Sequence, residues 1–514
     1  MTLDTRSGRR AGFAAILLLG LAAAWTSRDL RVDDAFITFR YARNIVEGRG
    51  WVYNEGERHN SATSPLYTAL VAALGGAIGN VPRAGHLVGS ASLVACGLVA
   101  AAIVAGAGYP AGGLLCGLFI VVNPLLLLTV SMETPLFLAL GAGAALLARR
   151  PRGTNAAVAL ASLATLTRGE GIVLLASIYA IAVWRERRVL WAPVLISAAI
   201  ALPWTVFASL ALGSPIPDSL AAKAALGVGL GMPAFAVFRQ APGLLWQFGL
   251  ATVTNFVPAV LAPLGVARLG VPGWLLVVST AVQLIVHGAL RVPPQHWYYG
   301  PPLLAASVAA GCGVGWLAGR LGRRTRAALW AVLVAGVVLE ARVGLSLTAN
   351  EDVNYVAAGR WLAAHSEPGD SIAAVEIGAI GWYSGLTVID PLGLGTPAAE
   401  QVRSGDFIWW LEARRPAFIL LHRPAWAWVE HVVVRQPAFL RDYVEAQVVG
   451  DPGPRQCVIY RRIGSHSSVS TPPALFGCRN AMREWCAPSR GCSSTSLMPS
   501  SFRRPRIVSS PSTA

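Results

Sequence analysis

Two carboxylates, Asp33 and Asp34, stand side by side in the stretch Leu30-Arg-Val-Asp-Asp-Ala-Phe-Ile-Thr-Phe-Arg-Tyr-Ala-Arg43. Adjacent acids resist joint ionisation unless a cation, an arginine or water stabilises them. The pair therefore suits a site that handles protons, a metal or a phosphate-linked substrate, the plain alternative being an acidic cap on an interfacial helix. Other polar groups recur at intervals: Glu57-Arg58-His59, Glu133, Thr167-Arg168-Gly169-Glu170, Asp218 to Lys223, and His296 to Tyr299. Lys223 is the only lysine among 42 basic residues. Together these types could run a group transfer in which a carboxylate takes a hydroxyl proton and an arginine or lysine holds a departing phosphate. For Arg168 and Glu170 the competing reading is a structural ion pair, and for His296 a place in an interfacial aromatic belt with Trp297 and Tyr298.

The elements that must position these groups are membrane helices. Of the 514 residues 54% are hydrophobic and 13% charged, and the mean hydropathy is +0.54, outside the range of soluble chains. The net charge of +16 sits in short arginine loops, namely Arg9-Arg10, Arg149 to Arg152, Arg185 to Arg188 and Arg320 to Arg326. That pattern reports topology, with these loops and the N-terminus expected in the cytoplasm. No aromatic-interleaved basic patch points to nucleic acid. The run Ala11 to Ser27 follows Arg6, Arg9 and Arg10 and reads as a retained first span, since it lacks a small-residue cleavage site.

Residues 28 to 64 form a first outer loop in which Asp34 to Glu47 has the spacing of an amphipathic interfacial helix. Apolar runs at 65 to 79, 85 to 107, 113 to 130 and 134 to 148 then lead to the Arg149 cluster. Five runs between two basic clusters break parity, so one is re-entrant or broken; 65 to 79, 134 to 148 and Asn123-Pro124 are the suspects. Residues 154 to 184 read as a helical hairpin with Arg168 and Glu170 at its tip. Either charge at mid-bilayer would cost about 2.5 to 3.5 kcal/mol, which favours a wet or protein-lined position. The expected total is about 11 to 12 membrane helices.

From Asn350 the composition turns globular. Helical spacing over Tyr355 to Ala364 and Phe407 to Arg414 alternates with strand-like Ser371 to Glu376, Thr387 to Asp390 and Phe418 to His422. This predicts an outer α/β domain of about 110 residues, large enough for its own core. The domain limits are 1–348 for the helical part, 349–463 for the α/β domain and 464–514 for a Ser-, Pro- and Arg-rich tail expected to be disordered. Cys96, Cys116 and Cys312 lie in apolar runs and read as small core residues, while Cys457, Cys478, Cys486 and Cys492 match no zinc spacing and leave a disulfide open.

The stretch from Asp33 to Leu66, with Asp-Asp-Ala-Phe-Ile-Thr-Phe-Arg-Tyr-Ala-Arg-Asn and then Gly-Trp-Val-Tyr-Asn-Glu-Gly-Glu-Arg, resembles the first outer loop of the GT-C polyprenyl-phosphate-sugar glycosyltransferases. It is most similar to the actinobacterial terminal arabinofuranosyltransferase group and its uncharacterised bacterial relatives. Met132-Glu-Thr-Pro-Leu, Leu166-Thr-Arg-Gly-Glu-Gly171, Pro215 to Lys223, Tyr298-Tyr-Gly-Pro, Gly378-Ala-Ile-Gly-Trp-Tyr and Ile389-Asp-Pro-Leu-Gly-Leu follow in order, so the likeness spans residues 10 to 460. It implies a polytopic GT-C helical bundle with a C-terminal extracytoplasmic α/β domain in the plasma membrane. The implied activity is inverting transfer of a sugar, arabinofuranose being one candidate, from polyprenyl phosphate to an envelope glycan or lipid acceptor.

Asp33 or Asp34, with Asp33 favoured, is then the general base. Arg58, Arg168 and Lys223 become donor-phosphate ligands, joined by His296, and Glu133 and Glu170 position sugar hydroxyls or those cations. A divalent cation, magnesium or manganese, on Asp33 and Asp34 stays open, because some relatives use one and others do not. Where the arabinosyl group tends to carry Glu-Gly-Tyr-Thr-Asn, this chain has His59-Asn60-Ser61-Ala62-Thr63-Ser64-Pro65. It also has Gly169 in place of a usual proline and Asp218 in place of asparagine, departures that bear on the sugar rather than the fold. The alternatives from other classes are a secondary transporter or flippase of a lipid-linked or anionic substrate, and a non-catalytic scaffold of envelope assembly.

Overall fold

The computed structural model describes residues 6–239, 250–347, 353–426, 429–453 and 455–464, with backbone alone for 250–256. The tail beyond Gly464, with Cys478, Cys486 and Cys492, lies outside the described residues. In chain order the helices are α1 (Arg6–Thr26), α2 (Asp33–Val46), α3 (Pro65–Ile78), α4 (Val81–Gly106), α5 (Pro110–Val122), α6 (Pro124–Leu127), α7 (Thr134–Leu147), α8 (Thr154–Thr167), α9 (Gly171–Glu186), α10 (Trp191–Ala211) and α11 (Asp218–Gly229). There follow α12 (Leu250–Val266), α13 (Val271–Ala289), α14 (Gly300–Arg320) and α15 (Arg323–Leu345). Among the described residues six segments, covering α1, α4, α10, α13, α14 and α15, are long and apolar enough to cross a bilayer on their own, as a multi-pass membrane protein requires.

Of the suspect runs, 65 to 79 forms α3. Its Tyr67 hydroxyl donates to the Gly85 carbonyl at the start of α4, and a Cβ on its Gly76 would meet Val46 at the end of α2. Residue 79 turns the chain back in the left-handed region, with φ of 69°. The segment therefore packs against the end of α2 and the start of α4, whereas α7 (Thr134–Leu147) ends two residues before Arg149. The hairpin expected over 154 to 184 is present as α8 and α9, joined through Arg168, Gly169 and Glu170.

Close backbone approach holds the helical layer together. A Cβ built on Gly89 of α4 would sit 1.6 Å from the Val130 carbonyl oxygen, so only glycine fits. Gly89→Ala is expected to lower stability by about 1 to 3 kcal/mol through overpacking, read as a drop in the melting temperature of the detergent-solubilised chain. Cys96, Cys116 and Cys312 are buried in this layer as free thiols.

After α15 come α16 (Val353–His365), β1 (Ser371–Ala373), α17 (Gly378–Ser384), β2 (Thr387–Ile389), α18 (Ala399–Ser404), α19 (Trp409–Arg414), β3 (Phe418–His422), α20 (Glu430–Val433), α21 (Pro437–Asp442), β4 (Tyr443–Val449) and β5 (Cys457–Arg462). The sheet order is β2-β1-β3-β5-β4. β1 pairs parallel with β2 and β3, and β5 antiparallel with β3 and β4. The carboxyl ends of the three parallel strands point Glu376, Asp390 and His422 to one edge, the edge where open α/β sheets place their ligands.

That edge is covered by α2. Ala35, Phe36, Phe39 and Tyr41 share one buried cluster with Ile377, Ala379, Ile380 and Val388. The amphipathic pattern of α2 thus produces a helix whose apolar face is buried against the sheet domain. Its charges are matched by protein carbonyls. Arg40 donates to the carbonyls of Tyr53, Gly381 and Leu386 at 2.7 to 2.8 Å, and Arg43 to that of Trp382 at 3.0 Å.

Candidate active site

Asp33 opens α2 beneath the first turn of α17. Its Oδ2 accepts from the Gly378 amide at 2.9 Å and its Oδ1 from the Ala379 amide at 2.7 Å. Gly378 is required there, since a Cβ would stand 1.9 Å from the Asp33 carbonyl oxygen. Asp33 is buried, and burial outweighs the two amides to hold its carboxyl above the usual range. These two bonds join α2 to α17 of the sheet domain.

Asp34 is half-buried and accepts no hydrogen bond among the described residues. Burial first, then the charge of Asp33, push it up to about 7 against the pull of Lys223. Glu133 and Asp390 are within electrostatic reach and act in the same direction as Asp33. Asp390, which caps the amides of Leu392, Leu394 and Gly395, is itself pushed up to about 6 by burial.

Opposite α2, the α8–α9 tip carries a second constellation. Arg168 reaches Glu133 with Nη1 and Glu170 with Nη2, both at 2.9 Å. Glu170 also receives His287 Nε2 of α13 at 3.2 Å, and the rings of His287 and Tyr298 meet edge to face at 4.6 Å. The Arg168 guanidinium lies 5.4 Å from the Tyr298 ring centroid. Lys223 on α11 is within electrostatic reach of Tyr298, Arg168, Asp34 and Glu133. It forms no ion pair or hydrogen bond among the described residues. Ser219, one helical turn earlier on the same face, donates to the Ser61 carbonyl at 2.9 Å, which fixes that face of α11 against the first loop.

Asp33, Asp34, Glu133, Arg168, Glu170 and Lys223 are therefore brought together. Arg58 is not: it is exposed in the turn after Glu57. His296 packs edge-on against Trp297 at 4.8 Å, and the ring placed against Arg168 is that of Tyr298, two residues on. The sequence reading missed His287 and Glu376. A lone histidine inside an apolar run was the available signal for the first, and an acid just past a strand's carboxyl end for the second.

Asp33, Asp34 and Glu376 can each offer a carboxylate oxygen within 4.8 Å of the others. This donor set of hard oxygens fits magnesium or manganese better than zinc. Asp33 could give only the lone pairs that Gly378 and Ala379 leave. Such an ion would lend charge beside Asp34.

The chain resembles crystal structures of ArnT from Cupriavidus metallidurans in the apo state and bound to undecaprenyl phosphate. Each aligns with a TM-score of 0.57 at 14% identity, over 87% and 88% of this chain and 97% and 98% of theirs. The Archaeoglobus fulgidus oligosaccharyltransferase tethered with an acceptor peptide aligns over 86% of this chain and 75% of its own, with a TM-score of 0.52 at 12% identity. A family model described as a domain of unknown function, DUF8728, matches residues 345–468. No curated protein matches the chain. The chain has the GT-C, ArnT-like fold, a polytopic helical layer with a small C-terminal sheet domain.

Proposed function

We propose that this membrane protein is a glycosyltransferase that takes a sugar from a polyprenyl-phosphate donor and passes it, with inversion, to a hydroxyl of an envelope glycan or lipid. The observation that carries the reading is the meeting of Asp34 and Lys223 between α2, α11 and the α8–α9 tip. Among the described residues the half-buried Asp34 carboxylate has no hydrogen-bond partner, and Lys223, within electrostatic reach of it, has no ion-pair partner. The ArnT relative bound to undecaprenyl phosphate has the same fold, which supports a lipid-phosphate donor. Arabinofuranose stays one candidate for the sugar, on the likeness of the ordered motifs from Asp33 to Leu394. The reactive end faces outward, and the N-terminus and arginine loops face the cytoplasm.

In the reaction Asp34 removes the acceptor hydroxyl proton as the oxygen attacks the anomeric carbon. The bond from that carbon to the phosphate oxygen breaks, and polyprenyl phosphate leaves with the electron pair beside Lys223. Arg168, both arms held by Glu133 and Glu170, positions the α8–α9 tip. Incubating the purified chain with a panel of radiolabelled polyprenyl-phosphate sugars and envelope acceptors tests the reading. Transfer from one donor supports it, and carrier-mediated movement of the lipid without transfer would replace it by a flippase.

The pH dependence has a definite sign. Asp34 is protonated below its value near 7 and cannot take the hydroxyl proton, and above it the carboxylate is free to do so. At fixed cation concentration kcat/KM is expected to rise about ten-fold per pH unit below 7 and to level off above it. A limb centred near the ordinary aspartate value of about 4 would assign the proton elsewhere.

A further inference from the structure

The end of the helical layer remote from Asp34 holds an arrangement that the transfer reaction does not use. Trp316, near the end of α14, has the Arg268 guanidinium 3.5 Å and the Arg320 guanidinium 4.1 Å from its ring centroid. The two cations stand no further apart than the sum of those distances. The ring quadrupole attracts each of them but does nothing to cancel their mutual repulsion. Arg268 Nη1 donates to the Leu264 carbonyl at 2.8 Å, and among the described residues no carboxylate pairs with either arginine. Two guanidinium forks on a half-buried indole, that of Arg268 half-buried and that of Arg320 exposed, stand at the boundary of a membrane helix and present donors to an oxyanion.

An apolar crevice opens nearby. It is lined by Phe13 and Ile16 of α1, Ala101 and Ala105 of α4, and Pro110 and Leu114 of α5, with Arg9 at its edge. The connection to Trp316 runs through the α4–α5 turn. A Cβ on Gly315 would stand 2.6 Å from Tyr109, and Pro110, the next residue, lines the crevice. Trp316 and the crevice are thus linked through its neighbour Gly315 and the Tyr109–Pro110 turn.

We propose that Arg268, Trp316 and Arg320 bind the phosphodiester headgroup of an anionic bilayer phospholipid, with an acyl chain laid toward the α1–α4–α5 crevice. The complementarity is that of basic pockets between membrane helices with anionic headgroups. The paired arginines separate such a site from a loop charge that only sets topology: both are pinned on one ring, where topology would need neither to be ordered. Since Asp34 and Lys223 lie at the opposite end, the site is independent of the proposed transfer chemistry.

The test uses the full chain, delipidated in detergent and titrated with phosphatidylglycerol, phosphatidylcholine or inorganic phosphate. Bound lipid is read by native mass spectrometry and stabilisation by melting temperature. Wild type is expected to retain phosphatidylglycerol at least ten-fold more tightly than phosphatidylcholine and to melt higher with it. The Arg268→Gln/Arg320→Gln double variant should lose that preference, while Arg187→Gln/Arg188→Gln, which removes the same charge from another loop, should keep it. Arg268→Lys/Arg320→Lys guards against misfolding by restoring charge without the planar fork and is expected to recover part of the preference. Unchanged lipid retention in the glutamine double variant, equal loss in the Arg187/Arg188 control, or equal stabilisation by inorganic phosphate alone would each overturn the assignment.

Discussion

Asp34→Asn is expected to lower kcat by about 100-fold to 10,000-fold, the usual worth of a positioned general base, while the melting temperature stays within a degree or two of wild type. The asparagine has the shape of the acid, and the native carboxylate accepts no hydrogen bond among the described residues, so the fold loses nothing it was using. Asp33→Asn has the opposite signature. An amide nitrogen placed against either the Gly378 or the Ala379 N–H replaces an acceptor with a donor inside a buried seam. Leaving one such group unsatisfied costs about 1 to 3 kcal/mol. Thermal stability should therefore fall first, with activity following the loss of domain docking. A radiolabel transfer assay and a melting curve on the same two preparations separate the roles. Near-normal turnover in Asp34→Asn would remove it from the chemistry.

This division between neighbours was invisible in the sequence, because it depends on a contact more than 340 residues away in the chain. Local signals were legible. The helix expected from Asp34 to Glu47 is α2 at Asp33–Val46, the hairpin tip at Arg168 is where the spacing put it, and β3 occupies the expected Phe418–His422. These depend on periodicity over a few residues. What α2 packs against does not, and an amphipathic pattern cannot say whether its polar face meets lipid headgroups or the carbonyls of Gly381 and Leu386. β4 and β5 went unread because Tyr443–Val449 is an edge strand with a mixed burial pattern and a bulge between Glu445 and Gln447. His287 went unread because its meaning comes from Glu170, on another helix.

The sheet domain acquires a role from the same geometry. An open α/β sheet binds ligands at the carboxyl ends of its parallel strands, and here α2 fills that edge with its own Asp33 carboxylate in hydrogen bond to the α17 amides. Glu376 and Asp390, from the first two parallel strands, are thereby delivered to the side of Asp34. The domain thereby contributes Glu376 and Asp390 to one wall of the candidate site.

Lys223→Met and Arg168→Met should likewise part company, and their contrast decides which cation meets the donor. Lys223 has no ion-pair partner among the described residues to abandon, so its removal is expected to leave the melting temperature nearly unchanged. It should lower kcat by about 100-fold to 1,000-fold, as for loss of one group stabilising a developing anion. Arg168 is bound on both arms inside the protein, with 7% of its side chain exposed. Removing it leaves Glu133 and Glu170 facing each other without their shared cation, and breaking a buried pair in this way costs about 3 to 5 kcal/mol. His287 reaches the same Glu170 oxygen at 3.2 Å and does not touch Glu133 among the described residues. The Arg168 variant should therefore lose most of its yield as folded protein, and a suppressor that also neutralises Glu133 and Glu170, as glutamines, should recover the fold. Recovery of both fold and transfer in that triple variant would show that Arg168 serves the scaffold and that Lys223 alone faces the leaving phosphate. Recovery of fold without transfer would return Arg168 to the reaction.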